Sequence, residues 1–140
     1  IEVTPLSEHP PYILLAEEHP LAAEPNLTLE VLAEHPMVLL ETPPLDEYFL
    51  ALFATQGLTP QVKYRCPSYE MVRGLVGQGL GYTILGAKPA SNLSYDGHAM
   101  VTRPLPADAR KSGVVIATKR GAKLPAASKT FIAVCKELFA

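Results

Sequence analysis

The stretch Pro67-Ser-Tyr-Glu-Met-Val-Arg-Gly-Leu-Val-Gly-Gln-Gly-Leu-Gly-Tyr-Thr-Ile-Leu85 restricts the fold more than any other part of the chain, because its apolar period changes from helical to strand-like within one short span. Ser68 leaves a strand-like run and can accept from the first free N–H groups of a helix, so it reads as an N-cap. Met71, Val72, Leu75 and Val76 then recur at the spacing of one apolar stripe, with Arg73 and Gln78 outside it. Gly79 suits the left-handed residue after a helix end, and Gly81 permits a close return of the backbone. Tyr82-Thr-Ile-Leu85 is short and uncharged, the kind of strand that lies buried in a parallel sheet.

The remaining chain repeats this strand and helix alternation. Residues 1–11 look extended and lead into an apolar strand over 12–16 that ends at Glu17-Glu-His-Pro20. Thr28 caps a short helix over 29–34, which Pro36 stops, and 37–40 is a buried strand with its exit loop at Glu41-Thr-Pro-Pro44. Leu45, Tyr48, Phe49, Leu52 and Phe53 fall on one helical face, with Asp46 and Glu47 in the first turn, where the helix dipole favours them. Gly57 ends that helix. Val62 and Tyr64 alternate with polar residues over 61–65, which suggests a strand near a sheet edge.

Residues 87–98 carry Pro, Ser, Asn, Asp and Gly and read as a loop or a short irregular helix, and 99–103 as a strand. The run 113–117 reads as a strongly buried strand. Pro125 opens a last helix whose apolar face is Phe131, Val134, Cys135, Leu138 and Phe139, with Cys135 a buried thiol. Such alternation predicts an α/β fold with a mostly parallel sheet covered on both faces. Ligands of these sheets bind beyond the C-terminal strand ends, here residues 40–42, 65–68 and 85–86.

Composition excludes several functions. A net charge of −2 argues against a nucleic-acid surface on these residues, since phosphate binding needs a concentrated basic patch. With 48% hydrophobic residues the chain is globular, yet no apolar run is long enough to span a bilayer. Two cysteines, Cys66 and Cys135, make neither a zinc site nor a disulfide framework. Glu-His-Pro recurs at His9, His19 and His35, but the spacing matches no compact metal motif and no metal site is expected. No catalytic or phosphate-loop signature is present, and Gly77-Gln-Gly-Leu-Gly81 follows a helix where a dinucleotide fingerprint must follow a strand. No catalytic residue and no cofactor are therefore expected.

The run Leu75-Val-Gly-Gln-Gly-Leu-Gly-Tyr-Thr-Ile-Leu85 resembles the LV..GLG..LL pattern in the effector-binding domain of LysR-type transcriptional regulators. Tyr12-Ile-Leu-Leu-Ala-Glu-Glu-His-Pro-Leu-Ala22 resembles that family's strand followed by HPLA, and Leu32-Ala-Glu-His-Pro-Met-Val-Leu-Leu40 extends the likeness. The resemblance implies a Rossmann-like subdomain of the type 2 periplasmic-binding-protein kind, with a mixed, mostly parallel sheet and an incomplete first subdomain. It implies that 1–18 are a remnant of the first subdomain and a crossover strand (12–16), and that 19–112 are the second, effector-binding subdomain. Residues 113–140 would return as a crossover strand (114–118) and the closing helix. The winged helix-turn-helix that touches DNA, its linker helix and the first strands of the first subdomain are expected upstream of Ile1.

The implied function is sensing of a small-molecule effector by a cytoplasmic, non-enzymatic regulator that forms a homodimer or homotetramer, with no membrane partner. From the residues alone, a cap that serves only its helix is the simpler reading of Ser68. The resemblance, whose members use this position, makes it a ligand contact for a carboxylate. Thr42, Pro67, Tyr69 and Gly86 complete the implied ligand-binding set, while Glu70 places a negative charge where an anion would sit unless it turns away. Two other classes fit the same fold: a periplasmic-type solute-binding domain, which an export signal would mark, and a small enzyme, which needs convergent acid, base or nucleophile groups.

Overall fold

The computed structural model describes residues 1–140. Strand β1 (Glu2–His9) leads through two prolines into β2 (Tyr12–Ala16), and a 3-10 turn (Pro20–Ala23) and helix α1 (Leu29–Ala33) precede β3 (Pro36–Leu40). Helix α2 (Leu45–Thr55), β4 (Gln61–Cys66), α3 (Tyr69–Gly77), β5 (Thr83–Leu85), β6 (Met100–Pro104), β7 (Ser112–Thr118) and α4 (Ala126–Leu138) complete the order.

β3 and β4 run parallel, with Leu40 beside Cys66. Met37 bridges to Tyr82 in the parallel sense. Tyr82 N–H donates to Pro36 O (3.1 Å) and Val38 N–H to Tyr82 O (2.8 Å), which joins β5 to β3. β2 lies antiparallel between β5 and β6, so the spatial order is β4-β3-β5-β2-β6. The sheet is mixed. The parallel expectation holds for β4, β3 and β5 and stops at β2, because a strand buried on both faces has the same apolar sequence whichever way it runs. β4 pairs only with β3, the edge position expected of it, but Tyr64, which the alternation put with Val62 on the drier face, is exposed together with Lys63 and Arg65 because nothing covers that side of the edge strand.

Period-two alternation divides the core between the two faces of this sheet. Ile13, Leu15, Met37, Leu39, Tyr82 and Ile84 point to one face, under Leu29 and Leu32 of α1 and Phe49 and Phe53 of α2. Tyr12, Leu14, Val38, Leu85 and Met100 point to the other, under Val72 and Val76 of α3. Gly81 sits where β5 meets β3: a Cβ there would lie 2.5 Å from Pro36 O. Side chains do not fit that approach.

Helix α3 departs from its expected stripe at two positions. Met71 is 59% exposed, and Arg73 is buried at 5% exposure. Arg73 is buried because its charge is met: it donates to Glu70 Oε2 (2.8 Å), Ser91 O (2.9 Å) and Leu93 O (2.9 Å), which clamps the 87–98 loop onto the helix.

The ends of the chain form a separate ribbon, β1 paired antiparallel with β7 from Glu2 and Thr118 down to His9 and Ser112. The strand paired with β7 is therefore β1, while 12–16 lie within the main sheet. The apolar run of β7 predicts strong burial, yet Val115 is 49% exposed; α4 buries no residue, and Leu138 is 77% exposed. Cys135 is half-buried rather than buried. An apolar pattern records a face able to be covered, and none of the 140 residues packs over this one closely enough to bury it. No helix is long and apolar enough to cross a membrane.

Candidate functional site

Since Met37 is level with Tyr82 and strands rise equally per residue, Leu40 stands level with Leu85, and Cys66 stands beside Leu40. Thr42, the pair Pro67 and Ser68, and Gly86 thus leave the sheet at one edge. Glu41 N–H donates to Cys66 O (2.9 Å) and holds two of these exits together. Thr42, Pro67 and Ser68 are exposed, Tyr69 is half-buried and Gly86 is buried.

Ser68 has extended backbone angles and its Oγ accepts from Met71 N–H (3.3 Å), so the helix cap forms as the sequence indicated. Cys66 Sγ accepts from Ser68 N–H (3.4 Å), a turn contact that gives the buried thiol a structural place. The first intrahelical bond runs from Val72 N–H to Ser68 O (3.0 Å), which leaves the amides of Tyr69 and Glu70 at the open end of the helix dipole. The Glu70 carboxylate turns away from that end. Its Oε2 accepts from Arg73 and its Oε1 from Tyr95 N–H (2.8 Å), so the helix tip keeps its positive character.

Tyr69 reaches from the same helix turn to the exit of β5. Its hydroxyl and that of Tyr12 both lie on Ala87 O, at 2.5 and 2.7 Å, and 3.2 Å from each other. Two protons cannot serve three contacts, so at any moment one of the three is an oxygen–oxygen contact with no proton in it. Burial first, and then the Tyr69 hydroxyl, push the Tyr12 phenol well above its ordinary range, so it remains a protonated donor. Gly86, beside this group, is packed so closely on Ser112 at the foot of the ribbon that a Cβ would collide with the Ser112 hydroxyl. Thr42 stands apart from the tyrosines. Its carbonyl accepts from Leu45 N–H (2.8 Å) and starts α2.

Sequence reasoning missed Tyr12, Ala87 and Arg73. Tyr12 read only as the first residue of an apolar strand, and a backbone carbonyl gives no sequence signal at all. The histidines do not converge on a metal: the rings of His19 and His35 pack at a tilt of 55° with centroids 5.6 Å apart, and His19 Nδ1 accepts from Leu21 N–H (3.0 Å). No group of three or more His, Cys, Asp or Glu is placed to hold a metal ion.

In an open α/β sheet, strand ends that open on a helix tip are where ligands of such folds bind. The chain belongs to the LysR substrate binding domain family, whose model matches residues 1–140. Among solved structures it is similar to HinK, a LysR family transcriptional regulator from Pseudomonas aeruginosa, with 37% identity and a TM-score of 0.86 over 99% of this chain and 49% of that one. The C-terminal domain of a probable LysR family regulator from Rhodococcus sp. RHA1 is 36% identical with a TM-score of 0.82, covering 96% of this chain and 66% of that one. Among curated proteins, the uncharacterized HTH-type regulator YvbU of Bacillus subtilis is 29% identical over 91% of this chain and 42% of its own length. The chain thus spans less than half of YvbU and about half of HinK.

Proposed function

We propose that this chain is the effector-sensing part of a LysR-type transcriptional regulator, in which a small carboxylate bound at the tip of α3 changes the position of one subdomain against the other. The observation that carries this reading is the convergence of three strand exits on an uncovered helix tip, with Glu70 drawn off onto Arg73. Ser68 offers a hydroxyl, the amides of Tyr69 and Glu70 offer donors, and Thr42, Pro67 and Gly86 shape the rim. The sensing subdomain in this proposal is 19–112 together with the strand before it, so 12–112, because β2 lies inside the same sheet; 1–11 and 113–140 belong to the first subdomain and the connections to it. DNA binding falls to a winged helix-turn-helix outside these residues, and the protein works in the cytoplasm as a homodimer or homotetramer. Binding, not catalysis, is the activity, because the exits carry no base or nucleophile pair. A periplasmic-type solute-binding role fits the fold less well, since relatives at 36–37% identity are regulators.

A magnitude limits what this chain does alone. A helix end contributes about 0.3 to 2 kcal/mol to holding an anion, whereas micromolar affinity needs about 8 kcal/mol. The 140-residue chain is therefore expected to bind its effector weakly or not at all, and isothermal calorimetry giving micromolar affinity would contradict this. A metabolite panel screened against the whole regulator tests the site itself. Ser68→Ala is expected to cost about 1 kcal/mol of stability from the lost cap and to weaken the effector about tenfold. Unchanged effector affinity in that variant removes Ser68 from the site.

A further inference from the structure

A second concavity, of about 400 Å³, lies at the foot of the ribbon. Of the five residues of the α3 site only Gly86 touches it, so a ligand can occupy this cavity whether or not the tip of α3 holds one. We propose that this cavity binds a small monocarboxylate with an apolar body, at a place where both connections between ribbon and sheet touch the ligand.

Three features carry this. The first is the wall: Pro10 and Pro11 from the β1–β2 connection, Leu105 from the β6–β7 connection and Tyr12 give one apolar side to a partly open hollow of ordinary ligand size. The second is charge. Lys88 donates to Thr102 Oγ1 (3.2 Å), which leaves two ammonium protons and the Thr102 hydroxyl proton to meet an acceptor. Arg103 is a second cation in the lining: its Nη1 donates to Leu21 O (3.2 Å) and Ala22 O (3.1 Å), and those bonds leave its Nη2 and Nε protons uncommitted. Asp108 also lines the cavity. Its carboxylate offsets one of the two cations, so one added carboxylate balances the lining and a second would be in excess; a monoanion suits the site better than a dianion.

The third feature is position. β1 and β7 enter the sheet only through the two connections that form the wall, so a ligand seated between them fixes the ribbon relative to β2 and β6. The Tyr12 hydroxyl holds Ala87 O, one residue before Lys88. Movement of Lys88 toward a carboxylate is thereby felt at the carbonyl that Tyr69 shares.

Titration of the isotope-labelled 140-residue chain with sodium isovalerate, followed by NMR, tests the proposal. Saturable shifts are expected at Tyr12, Lys88, Thr102 and Leu105. Isovaleramide, which keeps the shape and lacks the charge, and glutarate, which adds a charge, should each bind about fivefold more weakly. Lys88→Gln should lose a similar factor, while Ser68→Ala should leave isovalerate binding unchanged. Shifts centred on Tyr69 to Met71 and abolished by Ser68→Ala would mean one site only, at α3, and would overturn this proposal while supporting the effector site at the helix tip. Equal binding of acid and amide, or no saturable shift in the millimolar range, overturns it too.

Discussion

Gly81→Ala is expected to destabilise the chain by about 3 kcal/mol, the upper range for forcing an extra carbon into a packed interior. The added Cβ would lie 2.5 Å from Pro36 O, 3.0 Å from Pro36 C and 3.4 Å from a Val38 methyl. Two of these are backbone atoms with no rotamer to yield, so β3 and β5 must part. Pro36 O accepts from Tyr82 N–H, and Tyr82 O from Val38 N–H, and these bonds join the β4-β3 pair to the β5-β2-β6 sheet. Chemical denaturation should show the midpoint fall, and hydrogen exchange should speed at Val38 and Tyr82 before other strands. Gly74→Ala is the control. A Cβ on Gly74 meets nothing within 4 Å, so alanine in that helix interior should gain up to about 1 kcal/mol. A Gly81→Ala chain within about 1 kcal/mol of the parent would show that the two halves of the sheet are not joined through this contact.

Whether a feature was legible in the sequence depended on how local its cause is. Ser68 was legible because a cap and the amide it serves lie three residues apart, and the helix, glycine and strand order through Leu85 follows from periodicity alone. The edge position of β4 was legible because Gln61, Lys63 and Arg65 interrupt its apolar residues, although the dry face read for Tyr64 was not found. The tyrosine pair on Ala87 was not. Its members are 57 and 75 residues from Tyr12, and a hydroxyl on a carbonyl imposes no spacing. Arg73 misled for a related reason: a charged residue off the apolar stripe normally faces water, and only the folded loop supplies the carbonyls that let it be buried. β7 and α4 misled in the opposite sense, since Val114, Val115, Phe131 and Leu138 form apolar faces without a cover inside these residues.

Arg73→Met tests how the 87–98 loop is held, and it should cost about 2 kcal/mol with the loss concentrated in the loop. The ion pair is not the main term. Glu70 is 41% exposed, and a pair with one solvated partner contributes about 1 kcal/mol or less. The larger loss comes from Ser91 O and Leu93 O, which lose a buried, charged donor, and from Tyr95 N–H, whose acceptor Glu70 is no longer fixed. Glu70→Gln should therefore be mild, about 0.5 kcal/mol, and the double variant should cost little more than Arg73→Met alone. Opening should stop short of Ala87, because the Tyr12 and Tyr69 hydroxyls hold that carbonyl without help from Arg73. Hydrogen exchange should accordingly rise at Ser94, Gly97 and His98 and stay slow in β5. If the amides of Ser94 and His98 remain protected in Arg73→Met, the loop is held by its own contacts and the guanidinium is not its anchor. If protection is lost through β5 as well, the loop and the strand exit that forms the α3 site open as one unit, and the tyrosine pair cannot be an independent hold on Ala87.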